Sequence, residues 1–155
     1  MESLSYQQLQ VVEDLLEQIH HAILELKEWN KGVDNPDAWL MSADGMKTLA
    51  ANCMMIEAIG EGFKKIDSMT KKLLLPTRPE IPWKQVMGMR DHIAHGYFDI
   101  NADLVWDTIQ SDLTPLQEAV DFRFHWRNSP ASVTHNSVVC AMTLPHSLQG
   151  LCDSL

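Results

Sequence analysis

The sequence specifies an all-α protein, and three observations carry that assignment. Apolar residues recur at alternating steps of three and four along two long segments. No period-two alternation of the kind a half-buried strand needs appears before residue 127. Prolines at 76, 79 and 82 gather between periodic segments, where they end helices instead of interrupting them. The expected architecture is an up-and-down bundle of four or five helices.

The first helix rests on Leu9, Val12, Leu16, Ile19, Ile23 and Leu26, a bundle-type stripe with polar residues in most of the gaps. Leu15, Ala22 and Trp29 widen the stripe into a face able to touch two neighbours. Asn30-Lys31-Gly32 supplies a glycine stop. Pro36 and Asp37 open a turn or short helix, and the second long helix is expected to begin near Ser42. That helix carries Met55, Ile59, Gly62, Ile66, Met69 and Leu73 inward, with Cys53, Ile56 and Phe63 beside them. Gly60 and Gly62 each weaken it by up to about 1 kcal/mol relative to alanine, so their expected use is close approach of another helix backbone. A third helix is expected over 82–95, with Pro82 in its first turn and Gly96 at its end. Asn101 is placed to cap a fourth, with Leu104, Val105, Ile109, Leu113 and Leu116 inward and Pro115 as a kink or restart.

The 155 residues divide into an expected helical domain over 1–126 and a tail over 127–155, which holds only Arg127 and Asp153 as charged residues and shows no stripe. A hydrophobic content of 45% excludes a disordered chain. No signal-peptide pattern and no apolar run of membrane-spanning length appear, so the expectation is a soluble, cytoplasmic protein with no membrane partner. Cys53, Cys140 and Cys152 form no CxxC pair, which fits a reducing compartment.

A net charge of −9 argues against a nucleic-acid partner at first sight. The distribution answers this. Lys64, Lys65, Lys71, Lys72, Arg78, Lys84 and Arg90 face only Asp67 and Glu80 within 64–90, leaving that window at +5 and the remainder at −14. A basic segment of this kind can steer a polyanion, although a simple solvated helix face accounts for the lysines equally well.

The densest chemistry lies just beyond it, in Gly88-Met89-Arg90-Asp91-His92-Ile93-Ala94-His95-Gly96-Tyr97. Arg90 is a permanent cation, and His95 exchanges a proton near neutrality. One group that holds an anion and one that moves a proton suit reaction at a phosphodiester. Asp91 lies four residues before His95, within reach of it on a helix, so it either orients the ring or pairs with Arg90. On a helix Arg90 and His95 are about 140° apart, so they converge across a groove or with copies from a second subunit. Tyr97 falls nearly in line with Arg90 if the helix persists, where packing with a wet hydroxyl is its ordinary role. His92 and His95 are spaced for a metal pair, but no third ligand stands nearby, and neither metal nor cofactor is expected. His20 and His21 point in two directions and are expected to face solvent. Glu57 and Glu61 lie one turn apart and are expected on a polar helix face.

The Arg-x4-His-x-Tyr spacing resembles the signature of HEPN nucleases. Glu80-Ile81-Pro82-Trp83, Gly88-Met89-Arg90, His95-Gly96-Tyr97-Phe98, Leu104-Val105-Trp106 and Ile59-Gly60-Glu61-Gly62 resemble words of the HepT-type toxins in that superfamily. The resemblance spans roughly residues 1–122. It implies a homodimer whose two motifs line one cleft, and an endoribonuclease that needs no metal. Arg90 and His95 would be catalytic, Asp91 supporting. It also implies that a partner MntA-like nucleotidyltransferase antitoxin attaches AMP to Tyr97 and silences the toxin. RNA brings its own 2′-hydroxyl nucleophile, so proton transfer and charge stabilisation suffice. The rival reading is a non-catalytic helical dimer that binds a nucleotidyltransferase as a regulatory or scaffold subunit.

Overall fold

The computed structural model describes residues 5–89 and 100–127, with side chains as far as Asp121. Among these residues the secondary structure is helical, and the bundle expected from the sequence is present. Helix α1 spans Tyr6–Trp29, α2 spans Asp37–Leu40 and α3 spans Ala43–Met69. A short 3-10 turn at Leu75–Thr77 precedes α4, Trp83–Met87. The last helical run comprises α5, Ala102–Asp107, a π-helical turn at Thr108–Asp112, and α6, Leu113–Arg127.

Local chemistry sets these boundaries. Ser5 accepts from the Gln8 backbone N–H while the Gln8 side chain accepts from the Ser5 N–H, a reciprocal box that starts α1. Its end comes at Asn30, and Gly32 follows in the left-handed region at φ 81°. Ser42 caps α3 through its hydroxyl, 2.9 Å from the Gly45 N–H. Gly45 itself is required, since a Cβ there would stand 2.5 Å from the Trp39 carbonyl oxygen.

Helices α1 and α3 run antiparallel, with Ile19 against Gly62 at one level and Asn30 against Asn52 at another. Helix α6 returns antiparallel to α1: Lys27 donates to Thr114 and Gln117, and His20 Nε2 lies 2.8 Å from an Asp121 carboxylate oxygen. That contact corrects the expectation that His20 faces solvent, because α6 lies alongside α1 there; His21 is exposed.

The core contains Val12, Leu16, Ile19, Ile23 and Leu26 from α1, Leu49, Ile56, Ile59, Phe63 and Ile66 from α3, and Val105, Ile109, Leu113 and Leu116 from the final run. Leu104 is only partly buried at its edge. Leu9 of the expected α1 stripe is only half-buried, and two expected inward residues are exposed instead. Trp29 is 41% exposed at the last turn of α1, and Leu73 is 52% exposed because α3 stops at Met69 and the chain turns away. Met55 and Met69 lie at the core edge, so the buried stripe of α3 is centred on Ile56, Ile59, Phe63 and Ile66.

Candidate active site

The approach to the Arg90 segment is built on the second half of α3. Trp83 stacks at a tilt on Phe63, with ring centroids 5.1 Å apart, and its indole N–H donates to the Arg78 carbonyl at 2.9 Å. Gly60 lets α4 lie close: a Cβ there would meet the Val86 carbonyl oxygen at 3.0 Å. The backbone approach expected of the paired glycines is therefore made at Gly60, whereas Gly62 accommodates the Ile19 side chain of α1. Ile81, Val86 and Met89 are all buried, so the chain is anchored up to the residue before Arg90.

The expected continuous helix over 82–95 is interrupted. Helix α4 closes at Gly88, whose N–H is shared between the Lys84 and Gln85 carbonyls at 3.1 Å each. Sharing of this kind marks a helix end, and glycine is the weakest of the ordinary helix formers. Pro82 also stands just before the first turn of α4, not within it.

On the far side the described chain resumes at Ile100, packed against the core edge. Asn101 then caps α5, its side-chain oxygen accepting from the Leu104 N–H at 3.0 Å, as the sequence suggested. Met89 and Ile100 thus bracket the motif, both packed against the bundle. Arg90, Asp91, His95 and Tyr97, with His92 and Gly96, lie outside the described residues.

The basic window is partly neutralised around this approach. Lys64 pairs with Glu61 at 2.9 Å, which places Glu61 on the polar helix face expected for it, and Arg78 pairs with Glu80. Among the described residues no three His, Cys, Asp or Glu side chains gather as a metal cluster would require. Two acids are perturbed elsewhere. Burial pushes the Cys53 thiol up to about 11, and burial, reinforced by neighbouring Asp107, raises the Asp112 carboxyl. Sequence reasoning did not find the left-handed backbone of Lys71 and Lys72, at φ 52° and 62°, because no glycine or asparagine flags it.

Comparison with known proteins places these features. A family model described as ribonuclease HepT-like matches residues 19–122, which include α3, α4, the Arg90 segment and most of the final helical run. A bundle matching that model over most of its length is a protein of the ribonuclease class. The chain belongs to the ribonuclease HepT-like family, within the HEPN superfamily. It is 33% identical over 104 residues to a protein of Thermococcus cleftensis named "Probable ribonuclease HepT", covering 67% of this chain and 87% of that relative. An RNase candidate from Caldanaerobacter subterraneus subsp. tengcongensis is 32% identical over 65 residues, or 42% of this chain and 54% of the relative. Another, from Methanocaldococcus jannaschii, is 31% identical over 80 residues, or 48% and 61%. In these last two the alignment spans a little over half of the relative. No solved structure matches the chain. No helix among the described residues is long and apolar enough to cross a membrane.

Proposed function

We propose that this chain is a metal-independent endoribonuclease, the toxin of a toxin–antitoxin pair, acting as a homodimer over residues 1–126. Family membership, together with Arg90, His95 and Tyr97 at the family's spacing, carries the reading. His95 takes the proton from the RNA 2′-hydroxyl as that oxygen attacks phosphorus. The P–O5′ bond breaks, and the leaving 5′-oxygen collects a proton from an imidazolium, leaving a 2′,3′-cyclic phosphate. Arg90 holds the nonbridging oxygens as negative charge gathers on them. Asp91 orients the ring. AMP joined to the Tyr97 oxygen by a nucleotidyltransferase antitoxin places a bulky anion beside Arg90 and His95 and silences the site. The anchoring of Met89 supports this reading, because chemistry of this kind needs its groups held by a rigid scaffold.

The test is cleavage of total RNA in excess chelator by wild type, His95→Ala and Arg90→Lys. Wild type is expected to cut RNA and spare a substrate with 2′-deoxyribose at the cleavage position, with both variants slowed at least about 100-fold. Equal cutting of the deoxy substrate, or full activity of His95→Ala, overturns the mechanism. The net charge of −9 favours a second reading, a silent dimer that only binds the nucleotidyltransferase. Absence of cleavage with retained nucleotidyltransferase binding would establish that instead.

A further inference from the structure

Helix α3 leaves an apolar stripe open to solvent. Met46, Ala50 and Met54 follow one another at four-residue steps, which puts them on one side of the helix over about 12 Å of its length. All three are exposed, Met46 at 47% and Met54 at 73%. Leu40 and Met41 are exposed as well, in the two residues before the Ser42 cap, so apolar surface continues past the start of the helix. Single exposed apolar residues are ordinary, whereas a run of this kind marks a contact surface. Methionine, unbranched and polarisable, suits a face that must pack against another.

Symmetry, charge and size indicate what covers it. The order Met46, Ala50, Met54 reads the same in both directions. A two-fold axis at Ala50 therefore sets Met46 against Met54 of the partner subunit on both sides of the axis. The small side chain at the centre lets two helices approach, since the residues at the contact decide where in the range of about 8–10 Å their axes lie. No ionised residue stands on the stripe, and Lys47 and Asp44 beside it pair with each other at 2.9 Å. Helix α1, by contrast, turns Asp14, Glu17 and Glu25 to solvent, and a copy carrying the same net charge of −9 is repelled there. From two copies together the exposed side chains amount to on the order of 1,000 Å², the lower bound for a specific interface.

We propose that a second copy of this chain docks on the Met46–Ala50–Met54 stripe, the two α3 helices packing antiparallel about a two-fold axis at Ala50. This rests on the homodimer of the functional reading above and gives it a location. Helix α4 runs antiparallel to α3, with Trp83 on Phe63 and Val86 at Gly60. In both copies α4 thus points along α3 towards the axis, as a cleft shared by two subunits requires.

Sedimentation velocity over a concentration series compares wild type, Ala50→Glu and the control Leu24→Glu, which alters an exposed apolar residue of α1 in the same way. Ala50→Glu sets two like charges face to face on the axis and should weaken the dimer at least about 100-fold, whereas Leu24→Glu should leave it unchanged. Far-UV circular dichroism should be the same for all three, because position 50 is exposed and glutamate is a good helix former. A residue on a two-fold axis also meets its own copy. With helix axes about 9 Å apart and Cα radii of about 2.3 Å, the two position-50 Cα atoms stand at roughly disulfide distance. In a Cys140→Ser/Cys152→Ser background, Ala50→Cys should oxidise to a linked dimer and Leu24→Cys should not. A wild-type dimer that survives Ala50→Glu, or fails to link through Ala50→Cys, overturns the docking surface and leaves the homodimer standing. Equal weakening by Leu24→Glu overturns it as well. A wild-type monomer overturns both, and alkylation of the Ala50→Cys thiol then tells an open stripe from one covered by residues 127–155. A dimer that links at position 50 but leaves RNA intact keeps the surface and refutes the nuclease.

Discussion

Asn30 and Asn52 face each other across the α1–α3 interface and exchange two hydrogen bonds, 2.9 and 2.8 Å long, with both side chains buried. The Asn30 amide also donates to the Leu26 carbonyl at 2.7 Å, satisfying an acceptor that the end of α1 leaves open. A paired amide satisfied in this way fixes how far one helix slides along the other, since any slip leaves buried donors unmatched.

Asn52→Ala is therefore expected to destabilise the fold by about 1–3 kcal/mol, because Asn30 remains buried with its partner gone. Thermal denaturation followed by circular dichroism checks this. A midpoint within about a degree of wild type would contradict it.

Gly60 and Gly62 should respond differently to alanine. At position 60 the new Cβ meets the Val86 backbone carbonyl at 3.0 Å, so α4 must shift at a cost of about 1–3 kcal/mol. At position 62 it meets the end of the Ile19 side chain, which can change rotamer, while helix propensity gains about 1 kcal/mol. Urea denaturation should show a loss for Gly60→Ala and little change for Gly62→Ala. RNA cleavage should fall in the first alone, because α4 carries the chain toward Arg90.

Cys53 should react slowly with thiol reagents in the folded protein. With its thiol pushed from 9.0 up to about 11, the thiolate fraction at pH 8 falls about 100-fold relative to the unfolded chain. The unfolded thiol ionises first, so its contribution to stability is complete below pH 9 and is lost as pH rises from 9 towards 11. Alkylation rates at pH 8 with and without denaturant provide the measurement, and similar rates would refute the assignment.

Asp112→Asn should stabilise the protein at pH 7. The folded state holds the Asp112 proton more tightly than the usual 3.8, through burial first and Asp107 second. The contribution of that carboxyl is thus present below pH 3.8 and lost as pH rises through its raised value. The gain in melting temperature should shrink on acidification to below about pH 4. A gain independent of pH would point to another cause.

The long helices were legible in the sequence because their signals are local: the α1 stripe, the Ser42 and Asn101 caps, and the prolines between α3 and α4. What escaped depended on other parts of the chain. The Asn30–Asn52 pair joins residues 22 apart in sequence, and neither asparagine stands out alone. The pause at Gly88 was hidden because Pro82 and Gly96 framed one helix so neatly, while the interruption comes from a shared N–H one turn into it. Of the candidate site, Arg90, Asp91, His95 and Tyr97 were legible as a spaced word, whereas the packing that brackets it at Met89 and Ile100 was not.

The wide turn at Thr108–Asp112 bears on how this chain should be aligned with its relatives. In an unbroken α-helix Val105 and Leu113 would drift apart by about 80°; a five-residue turn advances less per residue and brings them back towards a common side. Pro115, which can offer no N–H to the preceding turn, follows directly. A homologue one residue shorter here would need no wide turn, because seven α-helical steps of about 100° already bring its downstream leucines back to the same side. A one-residue gap therefore belongs within this turn, where helical phase is kept, and a gap placed elsewhere would pair residues from opposite sides of the same rod.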